Sequence, residues 1–226
     1  MQTSMVFSQR TWPGVGDLDD CWVLSSLQSV NCSAPWLYLP NSDVFRKAAG
    51  DPDDGKADGG RISEIVLGVT TLYPEFKGKL TRLVGEPFAT LRHLAASGRP
   101  VSVALTSGKL PPDIRHGKGD VPHQCTVVEK AGGRVLFANP MAPMGSKWDE
   151  VDWTDIRPAI LDYGNGKVFG VAFPDDDAMV RQAPGFAAAL ASEIAKLPKP
   201  DCTAERLAGF NDAKAKASAA VGAITP

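Results

Sequence analysis

Apolar residues in the first third of the chain recur at helical spacing. Within residues 21–31, Val23, Leu27 and Val30 fall at i, i+4 and i+7 with Trp22 and Leu24 alongside, which predicts a largely buried helix. Asp19 or Asp20 is placed to cap its start, and Pro35 follows its end. A short helix is expected over 42–49, closed by Gly50, and an apolar helix over 62–72, with an exposed loop at 51–60 between them. Glycine and proline punctuate the chain from there to Pro87. The second half changes period. Residues 88–97 read as an amphipathic helix ended by Gly98, and 101–106 alternate as a strand. Two further strands, 123–130 and 134–138, are joined by the tight hairpin Ala131-Gly132-Gly133, and another is expected at 167–173. One early helix followed by an antiparallel sheet predicts an α+β domain over 1–174.

Beyond Asp175-Asp176-Asp177 the chain turns alanine-rich, with helices expected at about 186–197 and 203–223. Pro198 and Pro200 separate them, and Asp201 caps the second. This extension, 175–226, has two readings: a pair packed on the domain's flank, or a docking and oligomerisation arm.

Composition removes several classes of function. Lys+Arg number 24 against 26 Asp+Glu in 226 residues, a formal net charge of -2, without the basic excess of a nucleic-acid-binding surface. No apolar run reaches the ~18 residues of a membrane span. The first ten residues lack the basic-then-apolar order of a secretory signal, so the expected setting is cytoplasmic or, in an assembly such as a bacteriophage, virion-associated. An acidic loop at Asp51, Asp53, Asp54 and Asp58 fails the register of a calcium loop, with Gly55 and Ile62 at two ligand positions. The three histidines, His93, His116 and His123, do not have zinc-site spacing, and no cofactor or metal is expected.

Four cysteines, Cys21, Cys32, Cys125 and Cys202, are too few for a disulfide scaffold, and none forms a C-x-x-C pair. On one helix Cys21 and Cys32 would stand about 16 Å apart, beyond bridging distance. Cys21 is the thiol with special placement. At a helix start it lies among backbone N–H groups and the positive end of the helix dipole, both of which favour thiolate. The adjacent aspartates oppose that effect, so a cationic partner is required. An imidazolium would serve and could return its proton to a leaving group.

The run Gly16-Asp17-Leu18-Asp19-Asp20-Cys21-Trp22-Val23-Leu24 resembles the nucleophile helix of papain-like cysteine peptidases, in its calpain form. Asp20, Cys21 and Trp22 match that motif, while Asp19 stands where the family has glycine. Phe137-Ala138-Asn139-Pro140, followed by Trp148, Trp153 and Asp155, is similar to calpain's Asn-Pro-Trp segment, with Met141 in place of the family's Trp. Thr90-Leu91-Arg92 through Gly98-Arg99-Pro100-Val101 resembles C39-like bacterial peptidases. The resemblance spans residues 9–174. It implies a papain-like fold and the catalytic order Cys21, His123, Asn139, with His123 as general base and acid and Asn139 orienting its ring. Asp20, Trp22 and Trp148 are supporting positions.

One position departs from the pattern. The family carries an oxyanion-binding Gln about six residues before the nucleophile, where this chain has Val15. Gln9, from farther back, and the Cys21 backbone N–H are the candidate donors. His116, in a basic glycine-flanked run, is the competing base and is expected to be a substrate contact or surface residue. His93 is expected to be structural, and Cys125 a core residue near the site.

The expected activity is hydrolysis of an amide in a protein or a peptidoglycan peptide through a thioester acyl-enzyme. Acyl transfer to an amine would use the same residues. A catalytically silent papain-like domain, serving as a structural or binding component, is the alternative that Val15 favours.

Overall fold

The computed structural model describes residues 5–10, 20–50, 61–117, 119–130, 132–143, 145–175 and 179. Contacts divide the chain into two compact units, Met1–Asp176 and Asp177–Pro226. Expectations for Trp12 to Asp19, the acidic loop 51–60, Cys202 and the helices at 186–197 and 203–223 fall outside the described residues.

The first unit is α+β. Helix α1 (Cys21–Ser33) extends two residues beyond the predicted end and is followed by α2 (Ser42–Ala48) and α3 (Ile62–Leu72). Next come β1 (Thr81–Glu86), α4 (Phe88–Ala96), β2 (Val101–Thr106), the single turn α5 (Pro112–Arg115), β3 (Pro122–Glu129) and β4 (Val135–Ala138). The unit ends with β5 (Asp149–Val151), α6 (Trp153–Tyr163) and β6 (Val168–Ala172). Strand β1 lies in the segment expected to be irregular, while α5, β5 and α6 add elements the hydrophobic pattern does not announce.

The strands form one six-stranded antiparallel sheet in the order β1-β6-β2-β3-β4-β5. Alternation along the strands sends side chains to two buried faces. On one face Val101, Val103, Leu105, Cys125, Val127 and Phe137 pack beneath Leu91 and Ala95 of α4 and Ile156, Ala159 and Ile160 of α6. On the other, Val128, Leu136 and Ala138 cluster with Cys32 of α1, Val6 and Trp148.

The α1 contact on that second face is polar. Thr126 Oγ1 donates to the Ser25 carbonyl (2.9 Å), and the Ser25 hydroxyl lies 2.8 Å from Ser102 Oγ and 3.0 Å from Thr126 Oγ1. Gln124 Nε2 donates to Ser102 Oγ at 2.9 Å. Ser25, Ser29 and Ser33 recur every fourth residue, so they line one stripe of the helix, and Cys21 starts that stripe. A buried helix that meets a sheet through satisfied hydroxyls is held in one register, because any slip strands polar groups without partners.

Candidate active site

Helix α1 and strand β3 run in the same direction, since Ser25 meets Thr126 and Cys32 shares a cluster with Val128. One helical turn back from Ser25, about 6 Å, is Cys21. Three strand residues back from Thr126, about 10 Å, is His123. The thiol and the imidazole therefore lie at the same end of the helix–strand pair. Cys125, two residues along β3 from His123, is buried, and burial pushes its thiol well above the ordinary range. The neighbouring Cys21 and then Asp149 add to that shift, so the two thiols are electrostatically close. Cys21, Cys32 and Cys125 are thiols and not disulfides, and Cys21 is the most exposed of the three.

Cys21 occupies the first position of α1. The first intrahelical bond runs from the Leu24 N–H to the Asp20 carbonyl (3.0 Å), which leaves the Cys21 amide at the positive end of the helix. The expected Asp20 cap is not formed. Asp20 sits at φ -81 and ψ 12, outside the extended region a capping residue needs, and its side chain makes no cap hydrogen bond. It turns instead to α2, where Arg46 Nη1 donates to Asp20 Oδ1 at 3.1 Å. Trp22 is buried edge-to-face against Phe45 of α2 (5.8 Å), with the Arg61 guanidinium 5.2 Å over its ring.

His123 and Asn139 come together. His123 Nε2 lies 2.8 Å from Asn139 Oδ1, and both side chains are buried. The amide cannot be reversed. Asn139 Nδ2 donates to the carbonyls of Ile114 (2.8 Å) and Arg115 (3.0 Å), while Oδ1 accepts from the Met141 N–H (2.9 Å). Turning it over would set an oxygen against two carbonyls and an NH2 against an N–H. With Oδ1 fixed toward the ring, Nε2 must carry the hydrogen, and Nδ1 of the neutral ring is the basic nitrogen. Burial pushes the His123 pKa from 6.5 down to about 4, against the upward pull of the Asn139 bond, so the ring is neutral at pH 7.

In the run 115–119, expected to be flexible and basic, the first residue, Arg115, instead closes α5 and with Ile114 supplies the two carbonyls that anchor Asn139. His116 caps α5 in the left-handed region (φ 54), and its Nε2 stands 3.6 Å from Asp149 Oδ2. Burial raises the Asp149 carboxyl, and His116 opposes that shift. His93, expected to be structural, is exposed on α4 beside Arg92 and Trp153. Trp148 packs with Ala138 and Ala142, the residues that bracket the Asn139-Pro140 turn.

Gln9 is buried, and its backbone N–H donates to the Pro140 carbonyl (2.9 Å). The same segment is fastened by Ser8 Oγ to the Ala142 carbonyl (2.7 Å) and by the Phe7 N–H to Gln28 Oε1 of α1 (2.9 Å). Gln9 is thereby held next to the turn that carries Asn139. Sequence reasoning missed Arg46 and the two α5 carbonyls. Arg46 could have been sought as the cation that the aspartate run demands, but a backbone carbonyl leaves no trace in side-chain identity. Among the described residues, no three His, Cys, Asp or Glu side chains converge as metal ligands.

An antiparallel sheet with the Cys21 helix on one face, His123 on β3 and Asn139 just past the end of the neighbouring β4 has the general architecture of the papain-like fold. Among solved structures, a candidate C39-like peptidase from Bacillus anthracis superposes with a TM-score of 0.52 at 12% identity, over 77% of this chain and 95% of that one. The likeness is one of fold. No protein-family model matches the chain, and no curated protein does.

Proposed function

We propose that the chain is a papain-like cysteine peptidase or amidase acting through Cys21, His123 and Asn139. The observation that carries this reading is the His123–Asn139 bond, with an amide orientation that leaves Nδ1 of the ring unprotonated. The ring is then prepared to accept a proton. Cys21 Sγ attacks the substrate's amide carbonyl as His123 Nδ1 takes the thiol proton. The tetrahedral intermediate collapses, the C–N bond breaks, and the leaving amine takes the proton back from His123. Water, deprotonated by the same nitrogen, attacks the thioester, and its collapse releases the acid and restores the thiol.

The negative oxygen of each intermediate needs donors. The Cys21 N–H at the helix start is one, and the Gln9 side-chain amide is the second. Gln9 substitutes for the residue that the family places at the position of Val15. The substrate is a protein or peptidoglycan peptide, and the alanine-rich extension fits a component of a larger assembly such as a virion.

Peptide mapping after brief iodoacetamide treatment tests the reading. Cys21 is expected to label before Cys32, Cys125 and Cys202, and His123→Ala to remove that preference. Cys21→Ala is expected to abolish amide hydrolysis. Equal labelling of all four thiols would overturn the assignment. Preferential labelling without hydrolysis or transfer to any amine would favour a silent scaffold, the reading that Val15 supports.

A further inference from the structure

An aspartate directly before a nucleophilic cysteine poses an electrostatic problem. Asp20 is 1% exposed, and a buried carboxylate next to Cys21 raises the cost of forming a thiolate. Neither the helix end nor a ring kept neutral by burial removes that charge. Something else has to balance it.

Arg46 stands in the required place. Its Nη1 binds Asp20 Oδ1 at 3.1 Å, and its Nη2 binds Asp43 Oδ1 at 2.7 Å, one helical turn back on α2. The guanidinium is thus held at both ends, in the forked geometry at which arginine exceeds lysine. The platform beneath it is fixed. Asn41 Oδ1 caps α2 by accepting from the Val44 N–H at 2.9 Å, and Phe45, the residue before Arg46, packs edge-to-face on Trp22, the residue after Cys21. The other charged or titratable groups around the nucleophile are Arg61 over Trp22, His123 and Cys125 from β3, and Asp149 acting on Cys125. Arg46 is the cation that bonds to the Asp20 carboxylate directly.

We propose that Arg46 is a positioning residue that neutralises Asp20 and so keeps the Cys21 sulfur nucleophilic near neutral pH. This rests on the assignment of Cys21 as nucleophile. It divides the work of activation between two elements. The imidazole on β3 takes the proton, and the guanidinium on α2 cancels the charge that would hold the proton in place. A purely structural pair would affect stability alone, whereas a charge-balancing pair also governs the thiol.

The test is the pH dependence of iodoacetamide alkylation at Cys21 in the full chain, read by peptide mapping. Arg46→Gln is expected to slow alkylation about tenfold at pH 7 and move its profile to higher pH, the scale of one uncompensated charge at close range. Arg46→Lys keeps the charge but not the fork, and is expected to fall between wild type and Arg46→Gln. Asp20→Asn/Arg46→Gln removes both charges and is expected to recover most of the rate, even though it lacks the ion pair. Melting temperatures of each variant separate loss of fold from loss of activation.

A wild-type profile for Arg46→Gln would overturn the proposal, as would a double variant as slow as the single one. A different result marks failure of the underlying reading. If wild type and His123→Ala alkylate Cys21 alike, at the rate of an ordinary thiol, Cys21 is no nucleophile and the role of Arg46 falls with it.

Discussion

Asn139 presents its Oδ1 to His123 Nε2 at 2.8 Å because two backbone carbonyls, those of Ile114 and Arg115, hold the other end of the amide. A single-turn helix thereby sets the tautomer of a ring on another strand. The selection is made through geometry and not through charge, and the ring stays neutral until it receives a proton.

Asn139→Ala is expected to reduce Cys21 alkylation at pH 7 by about tenfold or more, since the ring loses its orienting bond. It also strands the Ile114 and Arg115 carbonyls and the Met141 N–H, at a cost of about 1–3 kcal/mol in denaturant unfolding. Asn139→Asp is expected to be no better, because a carboxylate cannot donate to two carbonyls. An Asn139→Ala protein that alkylates as fast as wild type would show that the ring needs no such support.

The hydroxyl stripe on α1 makes a second prediction. Thr126→Val keeps the shape of the side chain but removes the donor to the Ser25 carbonyl and one of the two partners of the Ser25 hydroxyl, Ser102 being the other. Stability is expected to fall by about 1–3 kcal/mol, with the urea midpoint lowered and its slope unchanged. If Cys21 and His123 act together as proposed, loosening this contact between α1 and β3 should weaken the preferential labelling of Cys21 in the same variant. Unchanged stability would mean that the α1–β3 register is set by apolar packing alone.

Periodic elements were legible in the chain, and their exceptions have identifiable causes. Helix α3 and strand β2 have the predicted bounds because their patterns are uninterrupted. Strand β1 was hidden by Gly85, which sits at φ 71 where the pairing with β6 shifts register, so the alternation breaks inside the strand. Helix α6 was hidden by Pro158. That residue lies on the exposed side of the helix, and an Asp152–Asp155 capping box fixes the start. For the candidate site, the meeting of His123 with Asn139 was legible, because the hairpin at Gly132-Gly133 folds the chain back so that the two side chains come within 2.8 Å. The carbonyls that hold Asn139 were not, since any residue at 114 or 115 supplies one.

Gly170 marks where strand packing leaves no room for a side chain. A Cβ there would lie 2.5 Å from the Ser102 carbonyl oxygen and 3.2 Å from Val103 Cα, both backbone atoms of β2. Gly170→Ala is expected to cost at least about 1–3 kcal/mol, because β2 and β6 must separate to admit a methyl group. Ser102 also carries the hydroxyl that meets Ser25, so the strain should reach α1 and slow Cys21 alkylation. A melting temperature equal to wild type would show that the sheet opens here at little cost.

His123 gives the protein a pH signature with a definite sign. Its folded pKa of about 4 lies below the ordinary 6.5, chiefly because burial disfavours the charged ring. Between those values the unfolded chain holds a proton that the folded chain lacks, so stability rises with pH across the window. The contribution is fully present above pH 6.5 and is lost as pH falls toward 4, amounting to a few kcal/mol at most. Carboxylates titrate in the lower part of the same range, so wild type alone does not isolate the effect. His123→Gln does, because glutamine can still donate to Asn139 Oδ1 but has nothing to protonate. Denaturant unfolding of both proteins at steps from pH 7.5 to 4 is expected to show the wild type losing stability faster. A constant difference across the series would mean that the ring protonates in place, and that its burial does not control its charge.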